Sequence, residues 1–239
     1  MVAVRRLHSV TDGIRIGCST ARRDPVLRYC RTVNPGEPSE LDRLPLHSRT
    51  PIEWGQSVLR DPISLLIDHA FLEKKAATNA LELLTRWPNE GVDGWVEAMT
   101  GVARDETAHL AQVTRILLNR GGRLERVHKN PYANSLRLLV RKGESAEILD
   151  RLLVSALIEV RSCERFSVLA AAAEDAELCG FYRALFSSEL GHYRLFLNLA
   201  RRFTGRRALD ARWQEMLAAE TSILMEQDPG PRIHSGLPR

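Results

Sequence analysis

The fold is decided by two stretches, RDETAHLAQV at residues 104–113 and SELGHYRLF at residues 188–196. Each contains a Glu followed three residues later by a His, which gives the pairs Glu106/His109 and Glu189/His192. Residues at positions i and i+3 lie on one side of an α-helix, so the two side chains of a pair can reach a common point. Apolar residues recur around both pairs at helical spacing. This pattern predicts that both pairs face a helical core.

Each pair is preceded by a Glu on another apolar helix face, Glu73 in the first half of the chain and Glu159 in the second. Glu73 lies 14 residues before the predicted end of its helix, and Glu106 lies 13 residues after the start of the next. Glu159 and Glu189 have the same relation to their own connecting turn. Equal counts mean equal height in an antiparallel helix hairpin, so both halves place these side chains at one level.

The resulting set contains four carboxylates, two imidazoles and no thiolate, a combination that suits iron or manganese rather than a structural zinc. A buried carboxylate costs several kcal/mol unless it is paired or bound to a metal. The sequence therefore predicts a two-metal site inside a four-helix bundle. Its candidate ligands are Glu73, Glu106, His109, Glu159, Glu189 and His192.

Two rival candidates fit this pattern less well. Glu125 and His128 form a third Glu-x-x-His pair, but they lie in an Arg- and Gly-rich stretch without an apolar helical stripe. Glu164 follows Glu159 by five residues, which places it roughly 140° around the helix and about 7 Å further along it. We therefore expect Glu164 to lie behind the ligands or to form an ion pair with a neighbouring Arg.

Helix start and stop signals predict an all-α fold. Asp61-Pro62 begins the first long helix, and Gly121-Gly122 ends the second. The predicted helices cover residues 51–59, 61–87, 93–119, 145–173, 176–203 and 209–227. Two short turns and a long crossover, Arg120–Glu144, between the second and third long helices give the connectivity of a ferritin-like four-helix bundle, here with an extra C-terminal helix.

Composition limits the remaining possibilities. We expect residues 1–46, which are Arg-rich and lack periodicity, to be a poorly ordered N-terminal extension, and residues 47–239 to form the ferritin-like di-iron domain. The four cysteines form no C-x-x-C pair and no disulfide framework, which favours a reducing, cytoplasmic location. No apolar run reaches the length of a membrane span, so no membrane association is expected.

Four segments resemble one specific family: IDHAFLEKKAA (67–77), RDETAHLAQV (104–113), IEVRSCERF (158–166) and SELGHYRLF (188–196). They are similar to bacterial tRNA hydroxylases that act on 2-methylthio-N6-isopentenyladenosine next to the anticodon. The resemblance extends from about residue 51 to residue 236. It implies an O₂-dependent non-haem di-iron monooxygenase that hydroxylates the isopentenyl group of this nucleoside.

The resemblance also implies how the site is built and supplied. It assigns the six candidate residues as ligands of two iron ions, with Glu106 and Glu189 bridging them. It further implies O₂ as co-substrate and an external electron donor, either a protein or a small reductant. Apolar side chains such as Leu185, Phe166 and Phe196 could exclude water and accommodate the prenyl tail, although simple core packing explains them better.

Basic residues in the crossover and after the fourth long helix are compatible with a tRNA partner, because Lys and Arg supply salt-dependent affinity for phosphates. Charge alone slightly favours a solvated basic surface over RNA binding. These residues are Arg120, Arg123, Arg126, Lys129, Arg137, Arg141 and Lys142 in the crossover, and Arg201, Arg202, Arg206 and Arg207 after the helix.

Other functions use a similar ligand set and stay open at this point. They are iron oxidation and storage, a rubrerythrin-type or manganese-catalase-like removal of peroxide, and a nucleic-acid-binding ferritin-like stress protein. The absence of a Cys₄ module counts against the rubrerythrin type. The sequence leaves the oligomeric state open between monomer and dimer.

Overall fold

Seven α-helices and no β-strand occur in residues 39–88 and 93–238, the parts of the chain that the computed structural model describes. In chain order they are α1 (Ile52–Val58), α2 (Pro62–Arg86), α3 (Trp95–Asn119), α4 (Pro131–Arg137), α5 (Glu144–Ala172), α6 (Ala176–Ala200) and α7 (Arg206–Met225). The predicted all-α fold is therefore confirmed. None of the helices in these ranges combines the length and the apolar character that crossing a bilayer requires.

The helices begin where capping side chains satisfy free backbone N–H groups. The Asp61 carboxylate accepts a hydrogen bond from the backbone N–H of Ser64 (3.0 Å), and Pro62 occupies the first helical position of α2. At the start of α6, the Asp175 carboxylate accepts from the N–H of Leu178 (3.0 Å). Each such cap is worth about 1 kcal/mol. These caps fix the N-termini of α2 and α6 at the positions that the sequence predicted.

Two helix hairpins form the bundle, since α2 packs chiefly against α3, and α5 chiefly against α6. The crossover between them contains α4, a helix that the sequence analysis did not predict. Asn130 caps it by accepting from the N–H of Ala133 (3.1 Å), and Pro131 follows the cap. Tyr132 and Leu136 are its buried residues. A helix of seven residues is too short to reveal a helical period, although its Asn-Pro start repeats the Asp61-Pro62 signal.

The apolar core consists of two clusters at opposite ends of the bundle. One contains Leu66 of α2 and Leu117 of α3, and the other contains Leu83 of α2 and Leu152 of α5. Along α2, α3 and α6, the candidate ligands lie between residues of one cluster and residues of the other. The polar layer is thus covered by apolar packing on both sides.

The folded part of the chain begins earlier than residue 47. Leu44 and Leu46 are buried in the apolar core, and the compact unit begins at Glu40. Residues 40–46, which the sequence analysis placed in the extension, thus pack with the bundle. Two leucines in a short irregular segment give no periodic signal. The expectation of poor order for residues 1–38 lies outside the described residues.

The C-terminal segment 232–236 returns to the bundle and is buried against α1, α2 and α5. The N–H of Ile233 donates to Asp68 (2.8 Å), and Ile233 itself is fully buried. Trp54 Nε1 donates to Ser235 Oγ (3.0 Å), and the Arg165 guanidinium donates to the carbonyl oxygen of Ser235 (3.1 Å). An irregular segment thereby fixes three helices at one end of the bundle.

Candidate metal centre

The four bundle helices bring all six candidate ligands together. Glu73 comes from α2, Glu159 from α5, and one Glu-x-x-His pair comes from each of α3 and α6. They form two overlapping groups in which one ligand atom per residue lies within 4.8 Å of every other. The first group is Glu73, Glu106, His109 and Glu189, and the second is Glu106, Glu159, Glu189 and His192, all of them buried.

Glu106 and Glu189 belong to both groups and lie between the two histidines. The Nδ1 atom of His109 is 3.1 Å from a Glu189 oxygen and 3.5 Å from a Glu106 oxygen. The Nδ1 atom of His192 is 2.9 Å from Glu106 and 3.0 Å from Glu189. Glu106 and Glu189 therefore each lie close to both histidines.

The ligand atoms converge without satisfying one another, and this supports a fit to metal ions. His109 Nδ1, Glu106 Oε1 and Glu189 Oε1 are buried and lack a well-directed hydrogen bond. Buried polar atoms are normally hydrogen-bonded, so several orphaned donor atoms at one place are compatible with a site that binds cations. Oxygen and imidazole donors in this number match iron or manganese, so these residues fit the two-metal centre that the fold family implies.

The converging side chains shift one another's pKa values. Burial by itself would lower the pKa of His109, but hydrogen bonds with Glu106, Glu189 and Glu73 raise it to about 12. The pKa of Glu159 is raised well above its ordinary value, first by burial and then by the charges of Glu106 and Glu189. Metal binding would replace these protons, because ligands bind metals in their deprotonated form.

His69 is a site residue that the sequence analysis missed. Its Nε2 atom lies 2.5 Å from Glu73 Oε1, and its ring is fully buried between Phe166 and Tyr182. Burial lowers the pKa of His69 to about 4, so the ring is neutral. A neutral imidazole at this distance can donate its N–H to Glu73 and fix the orientation of that carboxylate. The signal was its position four residues before Glu73 on the same helix face.

Glu164 takes no part in the cluster and forms an ion pair, as the sequence suggested. Its carboxylate lies 3.1 Å from Arg161 Nη1 and accepts from the hydroxyl of Thr50 (2.7 Å) and from the N–H of Thr50. Arg161 is fully buried and is also held by Glu220 through two hydrogen bonds of 2.8 and 2.9 Å. This network anchors α5 on the side away from Glu159.

The third Glu-x-x-His pair also lies outside both groups of possible ligands. His128 Nε2 is 2.6 Å from the carboxylate of Asp68, and its ring stacks on Phe71 at 4.8 Å. Asp68 accepts a second hydrogen bond from the backbone of Ile233. His128 therefore ties the crossover to α2 and to the C-terminal segment.

A cleft of about 700 Å³ leads to the cluster and has Glu159 among its lining residues. Val154 and Ser155 form part of its buried wall, while Leu72 and Ile158 are partly exposed to it. Its other walls come from α4 and the turn before α5. The cleft depends on the position of the crossover, so the sequence alone could not reveal it.

The three apolar residues suggested from the sequence have a different role. Phe196 packs in one apolar cluster, and Phe166 and Leu185 pack in the other. None of the three lines the cleft beside Glu159. Their packing role is thus the one that the structure supports.

Fold and site together define a ferritin-like protein with a buried carboxylate–histidine centre suited to two metal ions. A solved structure with this architecture is Protein 43 with aldehyde deformylating oxygenase activity from Synechococcus. It is similar to this chain with a TM-score of 0.75 and 34% identity, over 80% of this chain and 96% of that chain. The chain belongs to the tRNA-(MS2IO6A)-hydroxylase (MiaE) family, whose model matches residues 40–235.

Two relatives are both named tRNA 2-(methylsulfanyl)-N(6)-isopentenyladenosine(37) hydroxylase. The protein of Pseudomonas putida is 41% identical over 191 residues, which cover 80% of this chain and 91% of the relative. The protein of Salmonella typhimurium is 28% identical, over 81% of this chain and 88% of the relative. The family resemblance seen in the four sequence segments is confirmed.

Proposed function

We propose that this protein is a tRNA hydroxylase that adds a hydroxyl group to the isopentenyl chain of 2-methylthio-N6-isopentenyladenosine next to the anticodon. Membership of the hydroxylase family supports the reaction and the substrate. The buried cluster supports two iron ions as cofactor, with O₂ as co-substrate and an external electron donor. A tRNA substrate also supports a cytoplasmic location.

The observation that carries this proposal is the cleft that reaches Glu159. A volume of about 700 Å³ is in the range of small-molecule sites and has room for a base with a prenyl tail. Its inner end combines the apolar side chains of Val154 and Ile158 with the candidate ligand. An apolar chain that enters this end is brought next to the metal centre and away from water.

The chain's own residues would bind, orient and shield the reacting group. Iron held by the six candidate ligands would supply the activation of O₂, which side-chain acid–base chemistry cannot provide. His69 would hold Glu73 in one orientation through its N–H. The amide N–H of Asn79 donates to Ser155 Oγ (3.0 Å), which fixes a polar pair on the cleft wall beside the apolar residues. These fixed groups can position the nucleoside while the apolar wall excludes water.

The test is hydroxylation of tRNA that carries the prenylated nucleoside. Reduced, iron-loaded protein and ¹⁸O₂ should give a hydroxylated nucleoside with one labelled oxygen atom, measured by mass spectrometry of the digested tRNA. His192→Ala should abolish the product, because it removes one of only two imidazole ligands. His47→Ala is the matched control and should retain activity, since His47 is exposed and contacts Gln214 outside the site.

Two results would contradict the proposal: an oxygen atom that comes from water, or full activity of the His192→Ala variant. Measurements of iron uptake and of peroxide breakdown on the same protein separate the alternatives. Iron storage would give iron uptake without a modified nucleoside, and a catalase would release O₂ from peroxide and require manganese. The relatives reported above favour the hydroxylase over both alternatives.

A further inference from the structure

Positive side chains surround the mouth of the cleft, and half of them are already committed to carboxylates. Arg86 lies 2.8 Å from Glu147, and Arg151 lies 3.0 Å from the same carboxylate. Arg141 donates to the fully buried Asp150 through its side chain and its backbone N–H. These three arginines hold helices and turns together, and their guanidinium groups are already paired with carboxylates.

Three further cations of the cleft have no carboxylate partner among the described residues. They are Lys75 on α2, Arg137 on α4 and Lys142 in the turn before α5, and all three are exposed. The Lys75 ammonium lies 2.9 Å from His128 Nδ1, and Asp68 on the far side of that imidazole attracts it from a greater distance. The mouth of the cleft therefore carries three positive charges without a direct carboxylate contact among the described residues, and they come from three different parts of the fold.

The crossover is held in place, so these charges form a fixed arrangement. His128 links Lys75 to Asp68 and stacks on Phe71, which ties the segment before α4 to α2. Arg141 and Asp150 join the segment after α4 to α5. Cations presented by a rigid frame lose less conformational entropy on binding than cations on a mobile loop.

We infer that Lys75, Arg137 and Lys142 bind the phosphates on either side of the target nucleotide, and that this rim is the docking surface for the anticodon loop. The inference rests on the proposed function, because it assumes that a single nucleotide enters the cleft. Sequence-specific RNA recognition targets splayed bases in single-stranded loops, while phosphate contacts set their position. A base that points inward towards Glu159 leaves its flanking phosphates at the exposed rim.

The same reasoning removes other basic residues from the docking surface. Arg120 pairs with Asp175 and Glu177 at 2.9 and 2.8 Å, so it serves the fold. Arg201 lines a different pocket, and neither Arg206 nor Arg207 lines the cleft. The group Arg201, Arg206 and Arg207 carries the same charge as the rim and is a matched control.

The experiment compares the salt dependence of RNA binding in two triple variants of the full chain. A fluorescently labelled anticodon stem-loop is titrated with wild type, with Lys75→Gln/Arg137→Gln/Lys142→Gln, and with Arg201→Gln/Arg206→Gln/Arg207→Gln, between 50 and 200 mM salt. Each phosphate contact in single-stranded RNA contributes about 0.7 to the slope of log affinity against log salt. The slope of the rim variant should therefore be smaller in magnitude by about 2. Over the fourfold salt range, its affinity should then fall roughly 16-fold less than that of the wild type. The control should keep the wild-type slope.

A charge-retaining variant guards against a general loss of structure. The variant Lys75→Arg/Arg137→Lys/Lys142→Arg should keep most of the wild-type salt dependence. A variant with a damaged fold would not keep it. An unchanged slope in the rim variant, or an equal loss in the control, would overturn the inference. An unchanged slope would also indicate that the rim cations bind a different partner, such as an acidic electron-donor protein.

Hydroxylation by the wild-type protein is measured in parallel and keeps the two proposals apart. Absence of product contradicts the proposed function, whatever the salt series shows. Product formation together with an unchanged slope in the rim variant contradicts only the docking surface.

Discussion

Replacing Glu159 and Glu164 by alanine should separate metal binding from folding stability, although both residues lie on α5. Glu164→Ala removes the acceptor of two Thr50 hydrogen bonds and one partner of the buried Arg161. Breaking a buried ion pair costs about 3–5 kcal/mol. We expect about 3 kcal/mol, the lower end of this range, because Glu220 still pairs with Arg161.

Glu159→Ala should have the opposite profile. In the metal-free protein, burial and two neighbouring carboxylates raise the pKa of Glu159, so its removal relieves an unfavourable burial. The cost to the fold should be about 1 kcal/mol or less, because lost packing is offset by this relief. The iron content, however, should fall from two per chain towards one or none. Glu164→Ala should keep both irons.

The assay uses two measurements on the same preparations. Iron per chain is determined after anaerobic loading with Fe²⁺ and removal of the excess. Thermal unfolding is followed on metal-free protein, where 3 kcal/mol corresponds to a decrease in Tm of about 6–12 °C. Glu164→Gln is the control and should lose less stability, since its amide oxygen can still accept from Thr50. Loss of iron in Glu164→Ala, with two irons retained in Glu159→Ala, would refute the assignment of α5.

Two other predictions concern the surroundings of the site. Burial alone would raise the pKa of Asp150, but hydrogen bonds from Arg141 and Arg212 hold it below its ordinary 3.8. Its carboxylate therefore stabilises the fold above about pH 4 and loses this effect as the pH falls through the folded-state pKa. Asp150→Asn should lower the free energy of unfolding by about 2 kcal/mol at pH 7. In urea titrations this difference should narrow below about pH 4, and a constant difference would contradict the argument. His69→Phe should keep the aromatic packing but weaken iron binding about 10–100-fold by freeing Glu73. Competition with a chelator measures this loss, and an unchanged affinity would contradict a positioning role.

The long helices and the six candidate ligands could be predicted because their signals are periodic. Glu106/His109 and Glu189/His192 each occupy a helical stripe, and a stripe fixes which side of a helix faces the core. The structure confirms the ferritin-like fold and brings these residues together with Glu73. That they hold iron remains a prediction, since convergence of side chains does not identify the ion.

Short and irregular segments could not be predicted from periodicity. The helix α4 spans seven residues, and the C-terminal segment around Ile233 has no regular structure, although both are packed against long helices. The position of His69 four residues before Glu73 is also found for ordinary core histidines, so the hydrogen-bond distance to Glu73 is what distinguishes its role. Likewise, Arg141 and Lys142 are adjacent in sequence, and only the ion pair with Asp150 separates a structural arginine from an uncommitted lysine.

The burial of segment 232–236 has a consequence for synthesis of the protein. Ile233 and Ser235 follow the seven described helices in the sequence, yet they form hydrogen bonds with Asp68, Trp54 and Arg165, which lie in the helices before them. This end of the bundle can therefore be completed only after segment 232–236 has been synthesised and has folded back. A premature stop codon near residue 230 would leave the seven described helices in place but would remove the partners of Trp54 Nε1 and of the buried Arg165 guanidinium, and one of the two partners of Asp68. Such a truncated chain would be expected to be a substrate for cellular proteases.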